Sequence, residues 1–234
     1  MDGADAIDYI LENNIEGAIV ECGVETGHFE YIWINRLQEK SAIYDIYLFD
    51  TFAGLTEPGE HDYSCDDATI WVINNDDIRS TWEQHKISED INGWCYVPLE
   101  QVKNILNSTG YPQERLHYVI GDVMETLKDD ANIPDKIAVL RLDTDWYNTS
   151  KYELERMYEK VVPGGVIIFD DYYQWYGQRL ATDEFFESIG IKYDFVNIGN
   201  GKTSAIIKIG GTPGLQNQRS WFQPLKPLPA LRVV

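Results

Sequence analysis

Two short acidic runs are the residues best suited to chemistry: Asp143-Thr144-Asp145 and Asp170-Asp171. Each directly follows an apolar stretch, 137–142 (IAVLRL) and 166–169 (VIIF), of the kind that forms a buried strand. Three to four carboxylates delivered by two adjacent strand ends make a hard-oxygen site for Mg²⁺ or a similar divalent ion. Without a cation such acids repel one another, and their pKa values rise. The competing structural reading pairs them with Arg141 or Arg179, or leaves them in solvent.

Three further polar clusters also sit at strand ends. The run Glu21-Cys22-Gly23-Val24-Glu25-Thr26-Gly27 follows the apolar stretch 18–22. Gly23 and Gly27 allow a tight turn and a close backbone approach to a ligand. The spacing is not GxGxxG, so a dinucleotide pyrophosphate is not the expected ligand. A zwitterionic amino-acid end fits better, its ammonium near an acid and its carboxylate near amides. Asp50, followed by Thr51, ends the stretch 46–50 (IYLFD) and suits the two hydroxyls of a ribose. Gly121-Asp122 follows 116–120 (LHYVI). There Asp122 either accepts from the exocyclic amine of adenine or caps the next helix. Glu21, Asp50, Asp122, Asp143 and Asp170 thus converge on one rim, where an unpaired buried carboxylate would otherwise be costly.

The elements that must position these residues alternate. Helices are expected over 5–13, 28–39, from Pro98 to about 106, just after Asp122, over 149–160 and over 177–188. Strands are expected over 18–22, 46–50, 116–120, 137–142 and 166–169, with Pro163-Gly164-Gly165 as a turn into the last of these. Strands over about 192–198 and 203–209, joined by Gly199-Asn200-Gly201, predict a closing antiparallel hairpin. The order implies an α/β doubly wound sheet, mostly parallel, with ligands at the carboxyl ends of its strands. One domain over 1–210 is expected. An acidic, aromatic insertion or lid, partly helical, occupies about 56–97. The Pro-rich tail 211–234 caps the domain or reaches a neighbouring subunit of a homo-oligomer.

Bulk properties narrow the function. The 234 residues carry a formal net charge of -20, with 39 acidic against 19 basic residues. Such a polyanion is not drawn to nucleic acid or to an anionic membrane. The three cysteines show no CxxC spacing, and Met1–Tyr9 lacks the pattern of a secretory leader, so a reducing, cytoplasmic setting is expected.

The runs RLDTDWYNTS (141–150) and PGGVIIFDDY (163–172) resemble the macrocin O-methyltransferase (TylF-like) family. VECGVETG (20–27), FDTFAGL (49–55) and VIGDVMETL (119–127) match its other landmarks in the same order. Thr144 departs from the glycine usual between the two acids, and Glu25, Thr26 and His28 from the small residues usual after the first glycine. The resemblance implies a Rossmann-like class I methyltransferase with a seven-stranded sheet, mostly parallel, whose last strand inserts antiparallel between the fifth and sixth. It implies S-adenosylmethionine held by Glu21, Gly23, Gly27, Asp50, Thr51, Gly121 and Asp122, and a divalent metal held by Asp143, Asp170 and Asp171. The expected reaction is methyl transfer to a hydroxyl of a small-molecule or glycan acceptor, with Asp143 as first candidate base and Asp145 as second. Trp146, Tyr147, Tyr172, Tyr173 and Trp175 are candidates to stack on a sugar face, and His61 or His85 in the insertion is a further candidate base. The rival readings are a catechol- or phenol-type O-methyltransferase, a nicotinamide-dependent sugar oxidoreductase, and a non-catalytic module binding cations or glycans.

Overall fold

The computed structural model describes residues 3–64, 78–193, 195–198 and 203–208. Seven strands form one sheet in the order β3-β2-β1-β4-β5-β7-β6. β1 (Ala18–Cys22), β2 (Ile46–Asp50), β3 (Leu116–Ile120), β4 (Ile137–Leu142) and β5 (Val161–Phe169) run parallel. β7 (Thr203–Ile207) lies antiparallel between β5 and β6 (Val196–Ile198), as expected. β1 and β4 are buried along their whole length, because helices cover both faces.

On one face, α1 (Ala4–Glu12), α2 (His28–Glu39) and α4 (Leu99–Asn107) bury Ile7, Ile10, Trp33, Ile34, Leu37, Val102 and Leu106 against the sheet. On the other, α5 (Val123–Thr126), α6 (Tyr147–Met157) and α7 (Tyr176–Ser188) contribute Val123, Leu154, Met157 and Phe186. The insertion supplies α3 (Ile78–Gln84). No described helix is long and apolar enough to cross a membrane.

Two expectations are corrected. Pro163-Gly164-Gly165 is not a turn but part of β5, which starts at Val161. The Gly164 N–H donates to the Lys208 carbonyl (2.7 Å) and the Lys208 N–H to that of Gly165 (2.9 Å), which keeps the stretch in the ladder. A register shift against β4 between Ile137 and Val139 accommodates the proline. α6 begins at Tyr147 rather than at 149, because a distant carboxylate, Asp62, accepts from the Tyr147 N–H (2.8 Å). The Gly199-Asn200-Gly201 turn and the Pro-rich tail lie outside the described residues.

Candidate active site

The strand order reverses between β1 and β4, so the loops leaving these strands part and open a cleft at their carboxyl ends. Its volume is about 300 Å³. Gly23, Asp50, Thr51, Gly121, Asp122, Asp143, Asp145, Asp170 and Asp171 all line it. The β1 and β4 loops meet backbone to backbone at its floor. Gly23 has φ +86°, and a Cβ there would lie 1.9 Å from the Asp143 carbonyl oxygen, so only glycine fits.

Asp50 organises the β1 loop. Its Oδ2 accepts from the N–H groups of Val24 (2.7 Å) and Glu25 (3.1 Å), and its Oδ1 from that of Phe52 (2.6 Å). Asp122 caps α5 by accepting from the Met124 N–H (2.8 Å) and still faces the cleft, so the capping reading of this residue is realised too.

One carboxylate oxygen from each of Asp143, Asp170 and Asp171 lies within 4.8 Å of the others. This is a hard-oxygen donor set of the kind a divalent ion requires. Burial, reinforced by neighbouring acids, holds the carboxyls of Asp143 and Asp171 well above the usual carboxylate range. Asp145 is raised in the same way, first by burial and then by Asp143. A cation would relieve this repulsion, so the residues fit one.

Part of the compensation is internal. The Arg141 guanidinium lies 2.8 Å from both Asp143 Oδ2 and Asp170 Oδ1, is bonded to Glu21, and stacks on Phe29 at 3.6 Å. The pairing with Arg141 is therefore real, and it coexists with the three-acid cluster.

Two residues expected at the cofactor stand away from the cleft surface. Glu21 is buried, faces Arg141 directly across the β1–β4 pair, and has the buried Glu30 as its other neighbour. Gly27 starts α2 with φ +75°, where a Cβ would meet Val102 at 3.1 Å, so it serves helix packing. Glu25 lines the cleft instead. The expected sugar-stacking aromatics are also placed elsewhere. Trp146 and Trp175 are buried together at 5.2 Å between ring centres. Tyr172 is buried with its hydroxyl donating to Asp183 (2.7 Å), Tyr173 packs edge-on against Tyr172, and the Tyr147 hydroxyl donates to Glu184 (2.6 Å). None of these five lines the cleft, and neither does His61 or His85.

Arg141 was foreseen from the sequence as a partner of the acids; Glu25 and Cys95 on the wall, and Asp62, were not foreseen in these places. Arg141 and Glu21 did carry a signal, since each is the one charged residue in an otherwise apolar strand and must find a partner. Left-handed backbone at Glu25, Cys95 and Asp145 clusters at the cleft, as strain does at functional sites. That signal exists only in three dimensions.

Sheet order and cleft together define a Rossmann-like methyltransferase fold. The chain belongs to the family described as macrocin-O-methyltransferase (TylF), which residues 2–203 match. It is 26% identical over 167 residues to the 8-demethyl-8-(2,3-dimethoxy-alpha-L-rhamnosyl)-tetracenomycin-C 4'-O-methyltransferase of Streptomyces olivaceus, covering 71% of this chain and 57% of that protein. It is 26% identical over 194 residues to the demethyldecarbamoylnovobiocin O-methyltransferase of Streptomyces niveus, covering 82% of this chain and 66% of that protein. The chain thus spans less than two thirds of the length of either relative. The solved O-methyltransferase NovP matches with TM-score 0.72 and 22% identity, over 89% of this chain and 78% of that one, a likeness of fold.

Proposed function

We propose that the protein is an S-adenosylmethionine- and divalent-metal-dependent O-methyltransferase acting on a hydroxyl group, most simply that of a sugar in a glycan or glycosylated natural product. The observation that carries this reading is the convergence of Asp143, Asp170 and Asp171 within a cleft whose floor only Gly23 can form. Membership of the macrocin-O-methyltransferase family, and a relative named for methylating a rhamnosyl-bearing compound, support the acceptor class.

When bound, the donor supplies an electrophilic methyl group, and the divalent ion lowers the pKa of the acceptor hydroxyl. The chain's own part is alignment and proton removal. Gly23 lets donor and acceptor approach across the β1–β4 gap. Asp50 and Asp122 face the nucleoside portion, and Glu25 is the acid of the β1 loop that faces the donor's ammonium. Asp143, Asp170 and Asp171 would hold the ion. Asp143 is the first candidate to accept the hydroxyl proton, and Asp145, beside it on the cleft wall, is the second.

Isothermal titration of S-adenosylhomocysteine into the protein, with Mg²⁺ and with chelator, tests the reading. Micromolar binding is the expected result. Absence of binding under both conditions would remove the methyltransferase assignment. Asp143→Asn should abolish metal-dependent turnover; full activity in that variant would remove Asp143 from the ion and proton roles together.

A further inference from the structure

Asp145 sits in a strained turn. The Trp146 N–H donates to the Thr144 carbonyl (2.7 Å), which closes a turn of three residues with Asp145 at its centre and φ +64°. A positive φ at that centre marks the rare form of this turn, which a non-glycine residue keeps only where its surroundings enforce it. One restraint comes from the acid cluster, where the Asp145 N–H donates to Asp171 Oδ2 (3.2 Å). The others come from α6, behind the cleft.

Thr149 and Glu153 stand four residues apart on α6, so they share one side of the helix, and both are buried. The Thr144 hydroxyl lies 2.8 Å from the Thr149 hydroxyl and 3.0 Å from Glu153 Oε1. The Thr149 hydroxyl also donates to the Trp146 carbonyl (3.1 Å). Thr149 therefore grips the residues on both sides of Asp145, and Glu153 anchors the first of them. Glu153 does not line the cleft; it is wholly buried, with the Cys22 thiol of β1 beside it. A carboxyl group in such a place is costly to the fold, and a leucine would not be. Thr144 is also where the sequence departs from the glycine usual between the two acids, and glycine would offer α6 no hydroxyl.

We propose that Glu153 and Thr149 act through Thr144 as positioning residues, holding Asp145 in its strained turn and thereby fixing Asp143 and Asp145 on the cleft wall. This rests on the reading of the cleft as a metal-dependent methyltransferase site. Relaxation of the turn would withdraw the Asp145 N–H from Asp171 and shift Asp143, the residue before Thr144. Two of the three carboxylates offered to an ion would then lose their alignment.

The test uses the full chain with S-adenosylhomocysteine present. Mn²⁺ replaces Mg²⁺, so that its affinity is read by electron paramagnetic resonance. Hydrogen exchange of the Asp145 and Trp146 amides is followed in the metal-free protein, with the β1 amides as the reference for global stability. Thr144→Val keeps the shape of the side chain and removes its hydroxyl. It should speed exchange at both turn amides but not in β1, and weaken Mn²⁺ binding by about tenfold or more. Thr144→Ser restores the hydroxyl and should return both readings toward the parent. Glu153→Leu should move both in the direction of Thr144→Val without lowering the melting temperature, which a merely structural role would not do. Glu153→Gln keeps the acceptor and should move neither. Unchanged turn exchange or unchanged Mn²⁺ affinity in Thr144→Val overturns the proposal. So does a Thr144→Ser protein that behaves as Thr144→Val, or a Glu153→Leu protein that matches the parent. Absence of Mn²⁺ binding in the parent sinks the underlying metal reading instead, and exchange alone then decides whether α6 holds the turn.

Discussion

Glu153 carries the clearest pH signature of any single residue. It is fully buried on α6, accepts from the Thr144 hydroxyl (3.0 Å), and its other oxygen has no hydrogen-bond partner. Burial pushes its carboxyl up to about 8, from a usual 4.5. The folded protein therefore holds a proton that the unfolded chain releases. Stability from this group is complete below about pH 4.5 and is lost as pH rises through 8. The loss is on the order of 4 kcal/mol by pH 8. Glu153→Gln preserves the acceptor for Thr144 and removes the charge. Its melting temperature should fall less between pH 5 and pH 8 than that of the parent. An unchanged slope, measured by calorimetry, would show that Glu153 titrates normally. The metal ligands give a second expectation at this scale. Mg²⁺ should raise the melting temperature of the parent by linkage, and Asp171→Asn should lose most of that rise.

At the scale of elements, the described parts of the insertion, 56–64 and 78–97, form a wall fixed to the site. Trp94, Trp146 and Trp175 form an aromatic cluster with centroids 5.2–6.2 Å apart, packed with Ile78 and Leu55. The Trp146 indole N–H donates to the Thr56 carbonyl (2.8 Å), and the Tyr176 N–H to that of Tyr63 (2.9 Å). Asp62 completes the attachment. Its Oδ1 caps α6 and its Oδ2 accepts from the Gly59 N–H (2.6 Å). A Cβ on Gly177 would lie 1.9 Å from that Oδ1, so glycine at the start of α7 is what admits the cap. Gly177→Ala should therefore destabilise by about 2–4 kcal/mol. Asp62→Ala alone should cost about 1–2 kcal/mol. The double variant should cost less than the sum of the two, since each destroys the same contact. Additive losses in urea unfolding would mean that the two residues do not act through one another.

For the molecule as a whole, the net charge of -20 dominates. Self-repulsion of this size destabilises the compact state and is screened by salt. Raising NaCl from low to physiological concentration should raise the melting temperature. A fall would indicate that local ion pairs, such as Arg36 with Asp8 (2.7 Å), outweigh the general repulsion. Mg²⁺ should stabilise beyond a matched ionic strength of NaCl, and only that excess reports on the acid cluster.

Sequence alone determined the order and nature of the elements. β1, α2, β2, β3 and β4 coincide with the stretches read from periodicity, because each buries a continuous apolar run or stripe whose bounds are local. The same local logic put Gly23, Asp50, Asp122, Asp143, Asp170 and Asp171 at strand ends, where they line one cleft. Tertiary structure decided which of the neighbouring polar groups face that cleft. Glu21 and Glu25 are four positions apart in one loop-bearing run, yet Glu21 turns inward to Arg141 because β1 and β4 are adjacent in register. Trp146 and Trp175 looked available to a sugar and instead bury one another, since they meet only when the loops after β4 and β5 are brought together. The start of α6 depends on Asp62, 85 residues away in sequence. Such pairings are long-range contacts, and no periodicity or propensity within a segment encodes them.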